Sequence, residues 1–67
     1  MAVLYTKVTS IEFTGEWTHE PWGLGTKSTA GEGASAVIHR DGEPDVTLSN
    51  PPSGTTVKVN GTTAIVE

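Results

Sequence analysis

The sequence predicts an all-β fold of about five antiparallel strands, arranged as a meander that curls toward a small barrel or sandwich with one long glycine-rich loop. Three observations predict it. Eleven Thr and seven Val favour strands, eight Gly supply turns, and strong helix formers are scarce. No stretch repeats apolar residues at helical spacing over successive turns. Short alternating runs are separated instead by clusters of turn-forming residues.

The first strand candidate is Val3 to Phe13. Its alternation slips, because Leu4 and Val8 share one parity while Ile11 and Phe13 share the other, so a bulge or bend near Thr9-Ser10 is expected. A long loop, about residues 14–34, follows: Gly-rich, without periodicity, yet carrying Trp17, His19, Trp22 and Leu24. Ala36-Val37-Ile38-His39-Arg40 and Val46-Thr47-Leu48-Ser49 form the next pair across the acidic turn Asp41 to Asp45. A tight Asp41-Gly42 turn pairs Val37 with Val46, whereas a loop from Asp41 through Asp45 pairs Ile38 with Leu48. The longer loop is favoured, since Pro44 fits badly in a paired strand.

The C-terminal signal is the clearest. Thr55-Thr56-Val57-Lys58-Val59 and Thr62-Thr63-Ala64-Ile65-Val66 flank Asn60-Gly61, which predicts a two-residue hairpin with a type I′ turn. Val59 then faces Thr62 and Val57 faces Ala64, with Val57, Val59, Ala64 and Val66 on the buried side.

Length and charge bound the function. A chain of 67 residues is expected to be a single small β domain over 1–67, and with 34% hydrophobic residues its core is thin. It has no cysteine to staple that core, so association with a second copy, a homo-oligomer, is the leading expectation. The formal charge of -4 and the lack of any basic cluster argue against nucleic acid as a partner. No apolar run is long enough to span a membrane as a helix. Met1-Ala2-Val3-Leu4-Tyr5 lacks the flanks of a secretory signal, so a cytoplasmic location, or one within an assembled virion, is expected.

Chemistry-bearing motifs do not emerge. Gly31-Glu32-Gly33-Ala34-Ser35-Ala36 matches a dinucleotide string but precedes a strand, and Gly25-Thr26-Lys27-Ser28 lacks the spacing of a phosphate loop. Asp41, Glu43 and Asp45 alternate as in calcium loops, yet Val46 stands where glycine is required. His19 with Glu16, Glu20 and the distant His39 has no metal-ligand spacing. No nucleophile, base and orienting group fall together. The expectation is therefore a non-enzymatic protein with no metal and no cofactor.

The information sits in Trp17-Thr18-His19-Glu20-Pro21-Trp22, where two indoles put large apolar area into a polar stretch. Either they plug the open end of the meander, or they anchor a contact, as Trp does at interface hot spots. The candidate binding residues, toward a protein surface or a ligand, are Trp17, His19, Trp22, Leu24 and Lys27; both readings hold together if Trp17 plugs and Trp22 docks. In composition and layout alone, the chain resembles the small decoration or cementing proteins of bacteriophage virions. That resemblance implies a homo-oligomer bound to a repeating protein surface. The alternative partner is a small metabolite or nucleotide, held under the Gly-rich loop by Trp22 and the amides of Gly23, Gly25, Gly31 and Gly33, with Lys27 assisting. An inhibitor that masks a host protein would use the same surface.

Overall fold

The structure, a computed structural model, describes residues 1–67. It is all-β: β1 (Val3–Tyr5), β2 (Val8–Thr14), β3 (Trp17–Trp22), β4 (Gly25–Ala30), β5 (Ser35–Arg40), β6 (Val46–Leu48), β7 (Thr56–Asn60) and β8 (Thr63–Val66). These form two antiparallel sheets, one of five strands in the order β1-β8-β7-β4-β3 and one of three in the order β2-β5-β6. No ladder joins the sheets, so the barrel is not closed.

The core lies between them. Val8 and Ile38 from the smaller sheet meet Val57 and Ala64 from the larger, with Tyr5, Ile11 and Trp17 packed around them. Only 8 of the 67 residues are buried, and Ala30, Ala34, Ala36 and Ala64 are among them, so small side chains set the spacing and little apolar volume is enclosed.

Only the β3–β4, β5–β6 and β7–β8 connections are hairpins; every other link carries the chain from one sheet to the other. The sharpest is Gly15-Glu16, between β2 and β3. Gly15 has φ 80°, and a Cβ there would collide with the Gly33 carbonyl oxygen. The Gly31 amide donates to the Glu16 carbonyl at 2.8 Å and pins the corner.

Several sequence expectations need correction. There are eight strands rather than five, and the order is no simple meander, because β4 pairs with β7 while β2 pairs with β5. The segment 14–34 is not a structureless loop. It contains the β3–β4 hairpin, registered from Trp17 opposite Ala30 to Trp22 opposite Gly25. Its alternation escapes a hydropathy reading because His19 and Pro21 share a face with Trp17, while Trp22 shares the opposite one with Thr18 and Glu20. Pro21 is tolerated because β3 is an edge strand and the missing amide is not needed for pairing beyond β4.

Val3 to Phe13 is also not one strand. The expected irregularity is present between Val8 and Ser10, but the chain additionally breaks at Thr6-Lys7, where Lys7 has φ 58° and β1 leaves for the other sheet. In the β5–β6 pair neither expected register occurs: Ile38 faces Val46, and Ala36 faces Leu48. Both strands form where expected, and the observed register falls between the tight turn and the longer loop.

At the C-terminal hairpin, Val59 faces Ala64 and Val57 faces Val66, with Asn60 opposite Thr63. The central turn residues are therefore Gly61-Thr62, not Asn60-Gly61. Gly61 has φ 59° and neither neighbour is positive, which is the sign pattern of a II′ turn rather than I′. The register moved by an even number of residues, so Val57 and Ala64 still point inward and are fully buried.

Candidate functional site

The five-stranded sheet has an inner face on the core and an outer face toward solvent, and the expected site residues divide between them. Trp17 and His19 are on the inner face; Trp22 and Lys27 are on the outer one, and Leu24 is in the hairpin turn.

Trp17 packs against the core cluster. Its Nε1 donates to the Thr14 and Ser35 carbonyls, both at 3.0 Å, so one indole ties β3 to both β2 and β5 at the Gly15 corner. Phe13 meets it edge-to-face with ring centroids 4.9 Å apart, and meets the His19 imidazole in the same way at 4.9 Å. His19 is exposed, but its Nδ1 lies 2.7 Å from Oγ of Ser28, which is buried on β4. That contact satisfies the one buried polar side chain of the protein, and no buried side-chain polar atom lacks a partner. An imidazole beside a serine hydroxyl resembles half of a nucleophilic pair, yet Ser28 is sealed from solvent and no carboxylate orients His19.

Phe13, His19 and Ser28 belong to a cleft of about 260 Å³ between the sheets. On one side it is walled by Thr9, Ser10 and Ile11 of β2; on the other lie Thr26 and Val59, with Gly61 at its far end. It exists because β2 and β3 diverge from the corner without pairing. Near Gly61 the Val8 amide donates to the Thr62 carbonyl at 2.8 Å, joining the smaller sheet to the β7–β8 turn.

On the outer face, register places Glu20, Lys27, Lys58, Ile65 and Leu4 in one row across the sheet. Lys27 and Lys58 stand directly opposite, an unfavourable like-charge pair that their neighbours relieve. Glu20 lies 3.8 Å from Lys27, and Glu67 lies 3.0 Å from Lys58. The Lys58 ammonium also sits 5.0 Å from the centroid of the Trp22 ring, a cation–π contact. Trp22 is 42% exposed and Leu24, in the Gly23-Leu24 turn, is 97% exposed.

This geometry removes the anion cradle considered from sequence. Gly23 and Gly25 lie at one end of β4 while Gly31 and Gly33 lie beyond the other, so their amides do not converge. No Gly-rich flap is available to close over Trp22.

Sequence reasoning missed Lys58, which reaches Trp22 only through the nonlocal β4–β7 pairing, and missed Phe13, Ser10 and Ser28, which line the cleft. It also missed a clamp on the smaller sheet. His39 Nε2 contacts a Glu12 carboxylate oxygen, and its Nδ1 lies 3.1 Å from an Asp45 oxygen. The hydrogen bond to Glu12, then that to Asp45, raises the His39 pKa above its ordinary value of 6.5. With a carboxylate at each nitrogen, the imidazolium is the form that donates twice. The alternating acids of Asp41 to Asp45 were the available signal, since they lie across the turn from His39.

No protein family, curated protein or solved structure matches this chain.

Proposed function

We propose that the protein is a non-enzymatic assembly module that self-associates and binds a protein surface through the outer side of the β3–β4 hairpin. The observation that carries this reading is Leu24, 97% exposed on the Gly23-Leu24 turn, beside Trp22, 42% exposed on the outer face at the end of β3. Large apolar side chains held on a short, ordered turn lose little conformational freedom on docking, which favours a contact role. Lys58 over the Trp22 ring fixes the indole further.

The adjoining row of Glu20, Lys27 and Lys58 offers both charge signs, which suits an isologous contact in which one copy's cations meet the other's carboxylate. The two sheets are read as a small open barrel or sandwich whose outer sheet face is the docking side. The non-enzymatic reading is supported by the sealed Ser28 hydroxyl. A repeating virion surface is the setting that the compositional resemblance implies for such a module.

The test is the solution mass of the wild type, Trp22→Ala and Leu24→Asn by light scattering, alongside their melting temperatures. The wild type is expected to be oligomeric at micromolar concentration. Each variant is expected to weaken association by about 2 kcal/mol with little change in melting. A monomeric wild type, or variants that retain its mass, would overturn the proposal.

A further inference from the structure

We propose that the cleft between β2 and β3 is a binding site for a neutral, single-ring aromatic molecule carrying one hydroxyl group. This site is separate from the outer face of the β3–β4 hairpin and does not rest on the assembly reading.

The cleft is a partly open slot bounded at both ends by contacts that link the two sheets. At one end the Gly15 corner is packed with Trp17, Phe13 and His19, their rings edge-to-face. At the other the Val8 amide bonds the Thr62 carbonyl. Between these ends β2 and β3 make no ladder, so the gap persists as a slot between diverging strands rather than a dimple on a continuous sheet. Its volume of about 260 Å³ falls just below the range of roughly 300–1,000 Å³ typical of drug-sized sites, which selects a smaller occupant.

The lining chooses the chemistry. Val8, Ile11, Phe13 and Val59 supply apolar surface from both sheets, and no charged side chain borders the slot. In a protein of net charge -4, an ion entering this space would lose hydration without gaining a counter-charge. A neutral ring buries two flat faces between the sheets and meets the Phe13 ring at the narrow end.

The polar groups are few and placed to orient such a ring. Ser28 already occupies Nδ1 of His19, which leaves Nε2 of this exposed imidazole for a hydroxyl from outside the chain. Thr26, inward on β4 with Ser28, adds a hydroxyl at the rim that is not engaged within the protein, unlike that of Thr9, which donates to the His39 carbonyl at 3.2 Å. A few convergent polar groups in an apolar slot are the usual anatomy of a small-molecule site.

The experiment titrates the full-length protein with phenol, benzoate and cyclohexanol while following backbone amide shifts by NMR. Phenol is expected to give saturable shifts in the millimolar range, centred on Ser10, Phe13, His19, Thr26 and Ser28. Benzoate, which is charged, and cyclohexanol, which is not planar, are expected to bind at least about fivefold more weakly. His19→Phe keeps a ring against Phe13 but removes Nε2, and should weaken phenol by about fivefold or more. Because that change also strips Ser28 of its partner, Thr26→Trp provides a second variant at the exposed rim that fills the mouth and should abolish saturation. Shifts that never saturate, shifts centred on Trp22 and Leu24, equal binding of benzoate, or full binding to folded Thr26→Trp would each overturn the proposal.

Discussion

The β3–β4 and β7–β8 hairpins share a backbone device and put it to opposite uses. Each turns through two residues, and the first, Gly23 or Gly61, has φ near +60°. In β7–β8 the inward residues include Val57 and Ala64, both fully buried, so the hairpin builds the core. In β3–β4 the inward residues include Trp17, His19 and Ser28, with only Ala30 and Ser28 buried, and the apolar residues of the turn region, Trp22 and Leu24, face solvent. The difference teaches that the turn fixes only where the chain reverses. What the hairpin does depends on which face of the strand meets the opposing sheet, and near β3 the smaller sheet diverges into the cleft instead of covering it.

The largest expected effect separates the two turns directly. Gly25 closes the β3–β4 turn against the end of β7, and a Cβ placed there would overlap the Val59 carbonyl oxygen, a backbone atom that cannot swing aside. Around Gly61 the space is open, with nothing within 4 Å of where a methyl group would stand. Gly25→Ala should therefore cost on the order of 3 kcal/mol or more by forcing β4 and β7 apart. Gly61→Ala should cost only the positive-φ backbone strain, about 1 to 3 kcal/mol. Denaturant melts of the two variants check the ranking, and a Gly25→Ala variant as stable as Gly61→Ala would dissolve the contrast.

How much of this contrast was legible in the sequence follows from the same side chains. Thr55 to Val66 announces a hairpin because Val, Ala and Ile alternate with Thr and Lys, and a register slip of an even number leaves the faces unchanged. Trp17 to Ala30 announces nothing, because its inward positions hold His19, Pro21, Thr26 and Ser28. Of these, His19, Thr26 and Ser28 border a partly open slot, and the imidazole of His19 satisfies the Ser28 hydroxyl. The cleft itself depends on β2 pairing with β5 and β4 with β7, contacts too distant in sequence for local patterning to reveal. The aromatic density of Trp17 to Trp22 did not announce that its two indoles lie on opposite faces.

The next comparison sets those indoles against each other. Trp17→Ala removes a ring packed on the core and leaves the Thr14 and Ser35 carbonyls without their shared donor. A loss of about 3 kcal/mol is expected, at the lower end for aromatic truncations because the ring is only half-buried. Trp22→Ala removes a ring whose main partner is the Lys58 ammonium, so less than about 1 kcal/mol of subunit stability should be lost. Equal destabilisation by the two changes, measured by thermal melting under conditions where the chain is monomeric, would make both indoles core residues and remove the distinction between the two faces.

The smallest expected effect concerns the other sheet, where His39 bridges Glu12 of β2 and Asp45 ahead of β6. Its pKa is raised in the folded protein, so folding favours the imidazolium. The stabilisation is then fully present below the unfolded value, about 6.5, and is lost as pH rises through the higher folded value. Deprotonation leaves one ring nitrogen without a hydrogen to donate, so either Glu12 or Asp45 loses its bond. The site is solvent-exposed and lies away from both the cleft and the Trp22 face, so the effect should be a modest fall in melting temperature across that interval, weakened by salt. His39→Gln should flatten the dependence, since an amide does not titrate there. Persistence of the same slope in His39→Gln would assign the pH dependence to another group, and a melting temperature that rose through the interval would contradict the sign of the clamp.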